Sequence, residues 1–396
     1  MPDVGADQLD AFRAEVRGWI KANFPAALKG RNPMEFQMTP AAANDPDFQS
    51  WRAAMADKGW GAATWPKDYG GGGLSRGQAK VLDEELARAG AFNPIGGMGM
   101  MMFGPTLLEY GSAEQKARFI PPIVRGEVRW CQGFSEPGAG SDLASLQTRC
   151  EDKGDHFLVN GQKIWTSGAN YADWCFCLVR TDTTRKHEGI SFLLIDMKSP
   201  GVETRPIRLI SGASPFCETF FTDVKVPKDQ LVGPLNGGWS IAKRLLEHER
   251  QGIGSRPAGV TPDLAAMAKR YVGEDGEGRL ADGDLRGRVS SHLMAAHALK
   301  QTLSRTVAEA KSGAGPNAAV SILKNAGTSV AQERLELSLE IMGLQGLGWE
   351  GAAFTESELE IVRTWLGSKA YSIYGGSAEI QNNIIAKRVL GLLDHQ

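Results

Sequence analysis

The segment WCQGFSEPGAGS at Trp130–Ser141 is followed after a short gap by GQKIWTSGAN at Gly161–Asn170. Between them they hold the residue types best suited to chemistry in this chain. In the first, Ser135, Gly138, Gly140 and Ser141 surround one acid, Glu136. Glycine lets a backbone approach a ligand closely, and successive N–H groups in such a turn form an anion-binding nest. The second reads as a hairpin strand with an indole and two hydroxyls, Trp165, Thr166 and Ser167. These parts suit a flat aromatic cofactor that carries phosphates. A flavin needs a platform for its ring, donors near its reactive nitrogen and a cradle for its pyrophosphate.

The elements that must position these residues follow from changes of texture along the chain. Up to about Arg125 the pattern is helical, with Phe12, Val16 and Ile20 spaced i, i+4, i+8 on one face. A Pro/Gly-rich loop at Trp65–Gly73 interrupts it. From Gly126 to about Leu235 the texture becomes short β-branched and aromatic runs: HFLVNG, ADWCFCLVRT, GISFLLIDM, GVETRPIR and CETFFTDVKV. Asn160-Gly161 between two such runs predicts a two-residue hairpin turn, and the region reads as a small antiparallel β domain. From Gly237 helix returns, notably over Leu285–Ser312 and Ala318–Met342, and ends in Ile380–Leu393. No internal repeat or low-complexity tract interrupts this order.

Composition narrows the function. A chain of 396 residues is long enough for two or three domains with a sizeable core. With 44 basic against 46 acidic residues the net charge is -2, so no basic field invites nucleic acid. Five cysteines at irregular spacing argue against a disulfide framework. Cys175-Phe176-Cys177 alternates along a strand and reads as packing, and neither the cysteines nor the six scattered His show metal-site spacing. The N-terminus MPDVGADQLDAF is acidic and polar, unlike a signal peptide. No apolar run reaches the ~20 residues of a membrane span. The expectation is a soluble, cytoplasmic protein that binds neither metal nor nucleic acid.

Four further stretches accompany the two opening segments: GAATWPKDYGGGGLS (Gly61–Ser75), EYGSAEQKARFIPPIVRGE (Glu109–Glu127), FFTDVKVPKDQLVG (Phe220–Gly233) and IYGGSAEIQNNIIAKRVLG (Ile373–Gly391). Together, in this order, they resemble the acyl-CoA dehydrogenase family of flavoenzymes. The resemblance implies the acyl-CoA dehydrogenase fold: an N-terminal helical domain over 1–125, a central antiparallel β domain over 126–235 and a C-terminal four-helix bundle over 236–396. It also implies FAD-dependent oxidation of an acyl-CoA thioester to the trans-2-enoyl-CoA, with electrons passed to an electron-transferring flavoprotein. The FAD is expected to be non-covalent, since no Cys or His sits where a tether would be.

That reaction removes a proton from Cα while a hydride leaves Cβ, and a carboxylate can take the proton only when desolvated beside a polarised carbonyl. In many relatives the base follows the Tyr of the C-terminal stretch, but here Tyr374 is followed by Gly375, which cannot accept a proton. GGWSIAKRLLEHERQGIG (Gly237–Gly254) offers an alternative. On a helical wheel Glu249 shares its face with Ala242, Leu245, Leu246, Gly252 and Ile253, whereas Glu247 lies with Lys243, Arg244, Arg250 and Gln251. A carboxylate on an apolar stripe loses solvation and its pKa rises, which suits a base near neutral pH. From the residues alone, Glu249 reads sooner as an edge residue paired with a nearby Arg. The resemblance to long-chain and isovaleryl-CoA dehydrogenases, with their Glu-Arg pair on this helix, implies that Glu249 is the base.

The same resemblance implies the remaining roles. Gln132, Phe134 and Ser135 line the flavin, with the Ser135 hydroxyl suited to N5 or O4, although Phe134 also fits core packing. Gly140 and Ser141 serve the phosphates and the CoA moiety, although Ser141 also fits a plain turn. Trp165 and Ser167 flank the isoalloxazine, although a lone strand Trp is also a core residue. The Gly376 N–H polarises the thioester carbonyl, where close approach needs Gly. Ser377 and Glu379 touch the FAD phosphates and ribose; Glu379 departs from the commoner Gln, and an acid sits uneasily beside a pyrophosphate. Arg250 binds CoA phosphates or is a solvated helix charge.

One departure bears on assembly. The family usually carries an Arg-x-x-Phe-Gly element that reaches a neighbour's FAD, but here the region reads MAKRYVGEDGEGRLADGDLRGR (Met267–Arg288), a Gly/Asp/Glu-rich and exposed-looking loop. This resembles the large subunits of α2β2 dehydrogenases acting on steroid side chains or pimeloyl-CoA. A related second subunit is therefore expected alongside the homotetramer alternative. Two rival functions share these residues: an acyl-CoA oxidase, and a non-catalytic subunit that completes a partner's site.

Overall fold

The computed structural model describes residues 6–31, 33–38, 43–254, 263–311 and 320–393, and the side chains of 249–254 lie outside the described set. Helix α1 (Ala6–Asn23) buries the stripe expected of it, with Phe12, Val16 and Ile20 all inside. It packs with α2 (Pro33–Met38), α3 (Pro46–Asp57) and α4 (Arg76–Ala89) around Trp51, Trp60, Leu82 and Leu86. Asp45 and Ser75 cap α3 and α4 by accepting backbone N–H bonds, and Gln78 completes a capping box on α4. Glu85 on α4 is 3% exposed and is gripped from α1 by Arg17 at 2.9 and 3.0 Å and by Arg13 at 3.0 Å. The hydrogen bonds from Arg17, then those from Arg13, outweigh burial and hold its carboxyl down at about 2. The Trp65–Gly73 loop, rich in Pro and Gly, holds a single 3-10 turn (Lys67–Tyr69) and leads into α4; after α4 a π-helical turn (Gly99–Phe103) leads into α5 (Gly104–Tyr110) and α6 (Ala113–Val124).

The β region is a sheet of seven strands: β1 (Trp130–Gly133), β2 (Arg149–Asp152), β3 (His156–Ser167), β4 (Trp174–Arg180), β5 (Ile190–Asp196), β6 (Val202–Ile207) and β7 (Phe216–Pro227). Its order is β1-β4-β2-β3-β7-β6, with β5 also paired to β4. Most pairs are antiparallel as expected, but β1–β4 and the single β2–β4 pair are parallel.

The expected hairpin at Asn160-Gly161 does not form. Both residues lie inside β3, at a register shift against β7. The β2–β3 turn falls instead at Lys153–Asp155, with Gly154 at φ 91°. Asn160 exchanges hydrogen bonds with Asp223 at 2.8 and 3.0 Å across the bulge. Glycine is needed at 161 for proximity, because a Cβ there would stand 2.7 Å from the Thr148 Cα.

Helix α7 (Gly238–Gly254) follows the sheet. Its Ile241, Ala242 and Leu245 share a core with Phe103, Phe134, Phe176 and Phe192. By its contacts the chain forms two units, Met1–Ile207 with Ser214–Arg256, and Arg208–Ala213 with Pro257–Gln396. Packing thus groups α7 with the strands before it, whereas sequence texture began the C-terminal block at 236.

The second unit contains α8 (Leu264–Val272), α9 (Gly283–Lys311), α10 (Val320–Met342), α11 (Glu356–Ser368) and α12 (Ala378–Ile384), around Leu264, Leu285, Leu337, Ile341 and Val362. The helix expected over Ile380–Leu393 is broken: α12 ends at Ile384 and a π turn follows over Ile385–Val389. No described helix is long and apolar enough to cross a membrane.

Candidate functional site

The glycine-rich segment begins where β1 ends. Gly133 is required there, since a Cβ would stand 2.8 Å from Cys175 Sγ and 2.9 Å from Cys177 Sγ. All five cysteines are buried free thiols, and among the described residues no group of His, Cys, Asp and Glu could hold a metal ion. Glu136 and Ala139 close a tight turn by exchanging N–H···O bonds, both 3.0 Å. The corner residues Pro137 and Gly138 are exposed, and a Cβ at Gly138 or Gly140 would meet nothing within 4 Å. No internal packing demands those glycines, so the space above them is open to a ligand.

Two buried cations fasten this loop, and sequence reasoning assigned neither. Lys163 of β3 is 0% exposed and donates to Glu136 Oε1 at 2.8 Å and to the Phe134 carbonyl at 3.1 Å. Glu136 also accepts from the Gln147 N–H at 2.6 Å, the Thr148 N–H at 2.8 Å and the Thr148 hydroxyl at 2.6 Å. Burial opposes its ionisation, but the Lys163 charge and these donors outweigh burial and hold the carboxyl below its ordinary value. Arg180, at the end of β4, donates to the carbonyls of Ala144, Leu146, Arg185 and Lys186 at 2.5–3.2 Å, while burial lowers its pKa. The available signal was weak: a lone Lys between Gln162 and Ile164, and an Arg closing the run CFCLV. Either reads equally well as a solvated strand end.

The second segment lies against the first. The Ile164 N–H donates to the Ser135 carbonyl at 2.9 Å. Register against β7 then shifts between Lys163 and Thr166, and Trp165 sits at φ 61°. A bulky residue rarely adopts that backbone, and such strain gathers at functional sites. The bulge leaves the Trp165 indole 52% exposed and edge-on to Phe216, with ring centres 6.0 Å apart. Thr166 points inward with its hydroxyl unpartnered, while Ser167 is half-buried. The sheet thus presents an open indole and a half-buried hydroxyl just beyond the Ile164 bond to Ser135, the residue that leads into the glycine turn.

Phe134 behaves differently from its expected flavin-lining role. Its ring is 5% exposed and stands edge-on to Phe176 and Phe192 at 6.0 and 6.3 Å, so its side chain is core. Gln132 is half-buried in β1, Ser135 is half-buried, and Gly140 and Ser141 are exposed. Glu249 and Arg250 lie in α7, with side chains outside the described residues. Their helix keeps the expected sidedness: Ala242 and Leu245 are buried, while Arg244 forks onto Glu109 and pairs with Glu247 at 2.8 Å.

The C-terminal residues belong to the second unit. Gly375 and Gly376 have φ of 66° and 86°, and the Ser377 hydroxyl caps α12 by accepting from the Ile380 N–H at 3.3 Å. Glu379 is exposed in the first turn, where the backbone N–H and the Ser377 hydroxyl lower its pKa. The Arg-x-x-Phe-Gly region is a turn built on Asp275, which accepts from the Glu277 N–H at 2.9 Å and the Arg279 N–H at 3.0 Å. It is largely exposed as expected, with Leu280 tucked inside.

Family models cover nearly the whole chain: the acyl-CoA dehydrogenase N-terminal domain at 6–127, the middle domain at 131–224 and the C-terminal domain at 236–390. The acyl-CoA dehydrogenase IpdE1 of Mycolicibacterium smegmatis is 36% identical, over 97% of this chain and 98% of its own. The chain belongs to the acyl-CoA dehydrogenase family. By that membership it is an oxidoreductase, and FAD is the family's general cofactor. Among solved structures, the Tcur3481-Tcur3483 steroid ACAD superposes with a TM-score of 0.77 at 29% identity, covering 100% of each chain. The ChsE4-ChsE5 complex from Mycobacterium tuberculosis gives 0.73 at 30%, again over 100% of both.

Proposed function

We propose that this acyl-CoA dehydrogenase binds FAD non-covalently and oxidises the α,β bond of an acyl-CoA thioester to the trans-2-enoyl-CoA, with electrons passing to an electron-transferring flavoprotein in the cytoplasm. The observation that carries the reading is the Trp165 bulge, a strained backbone that leaves the indole half-exposed directly after the Ile164 bond to Ser135, which leads into the open glycine turn. These residues fit the cofactor, which when bound supplies the hydride acceptor. Ser135, Trp165 and Ser167 orient its ring, while Gln132, Gly140, Ser141, Ser377 and Glu379 serve its remaining polar groups. Glu249 takes the Cα proton, the Gly376 N–H holds the thioester carbonyl, and Arg250 with Ser141 binds CoA. By helical spacing Glu249 falls on the apolar stripe of α7, and Gly375 leaves the other familial base position without a carboxylate.

The steroid ACAD and the two-protein ChsE4-ChsE5 complex among its structural relatives support a bulky acyl group and a second, related subunit. The test is anaerobic titration of the purified protein, alone and with a related subunit, against fatty, branched, dicarboxyl and steroid acyl-CoAs. Bleaching of the flavin band by the bulky thioesters is expected. No bleaching by any of them would refute the activity, and rapid reoxidation in air would favour the oxidase instead. Denaturation should release all flavin into the supernatant; flavin retained on the precipitate would refute non-covalent binding.

A further inference from the structure

The Lys163 ammonium is buried to 0% exposure beneath the junction of the two cofactor-facing segments, and its partner Glu136 adjoins Ser135 in sequence. Its bond to the Phe134 carbonyl fixes the peptide plane before Ser135. The Ile164 N–H on the Ser135 carbonyl and the Glu136 N–H on the Ala139 carbonyl fix the plane after it. Both backbone torsions of Ser135 are thereby set from two consecutive residues of β3. The next residue is Trp165 at φ 61°, so the cation also sits at the root of the strained bulge. A buried ion pair seldom stabilises more than well-packed apolar residues of the same size, whereas its hydrogen bonds demand one geometry.

We propose that Lys163, with Glu136, is a positioning residue for the flavin. It holds the Ser135 hydroxyl and the Trp165 indole in one preformed arrangement before the cofactor arrives. The inference rests on the flavin reading above and deepens it. A binding site whose donors are already oriented loses less freedom on binding, so loosening the pair should weaken affinity while the fold survives.

The test compares the full-length wild type with Lys163→Met and with Lys163→Met combined with Glu136→Gln, which removes both buried charges while keeping an acceptor for Thr148. Thermal unfolding of the apo-proteins, FAD titration and the fine structure of the flavin's visible band are measured on each. The folded double variant is expected to bind FAD about tenfold or more weakly and to lose the resolved shoulders of that band. A folded variant with affinity within about twofold of wild type and a superposable spectrum would overturn the proposal. If neither variant folds, the pair serves the fold at large and the positioning role is likewise refuted. A wild type that binds no FAD, alone or with a related subunit, would instead refute the flavin reading before any substitution is compared.

Discussion

Trp165 and Phe134 are both aromatic residues of the Gly161–Asn170 and Trp130–Ser141 segments, and they meet opposite fates. Trp165 accepts a left-handed backbone and leaves half its surface exposed, an arrangement no packing demand explains. Phe134 fills a core position among Phe176 and Phe192. Trp165→Gly should therefore leave the apo-protein's thermal midpoint within ~2 °C, since glycine adopts positive φ without strain. The same change should weaken FAD binding about two- to tenfold, the scale of one aromatic contact. Phe134→Ala should instead destabilise the fold by about 3–5 kcal/mol through the cavity it leaves. Calorimetry and flavin titration on the two variants check both statements, and a large stability loss at Trp165 would contradict the first.

At the scale of elements, the Arg13–Arg17–Glu85 cluster joins α1 to α4 and makes their packing pH-sensitive. The Glu85 carboxyl is held at about 2 against an ordinary 4.5, so it binds protons more weakly in the folded state. Its stabilising contribution is therefore fully present above about pH 4.5 and is lost as pH falls through about 2. The gap in thermal midpoint between wild type and Glu85→Gln should narrow steadily across that acid range; a constant gap would contradict the assignment. Helix stripes of this kind were legible in the sequence because Phe12, Val16 and Ile20 repeat with the helical period, and the strand runs were legible by their β-branched texture. Asn160-Gly161 misled because a two-residue turn and a glycine forced by a neighbour's proximity look alike in one dimension, and only Thr148 in space separates them. Lys163 and Arg180 were invisible for a related reason: burial of a cation depends on an acceptor brought from more than twenty residues away, which no spacing rule records.

The whole molecule follows the family's order of helical, β and helical parts, yet the Met267–Arg288 segment replaces the Arg-x-x-Phe-Gly element with a self-contained turn on Asp275. A pyrophosphate site without that cation forgoes a charge-assisted hydrogen bond of about 1.5–3 kcal/mol, roughly a ten- to hundredfold loss in affinity. The chain expressed alone should therefore be partly empty of FAD, and co-expression with a related subunit should fill it. A stable homotetramer with one FAD per chain and full activity would contradict this. Flavin reduction by an acyl-CoA with Glu249 as the proton acceptor is checked by anaerobic stopped-flow reduction of wild type and Glu249→Gln by the same thioester. The variant is expected to keep its FAD while reduction slows by about 10²–10⁴, the usual scale for loss of a general base. Reduction of Glu249→Gln at the wild-type rate would contradict that assignment.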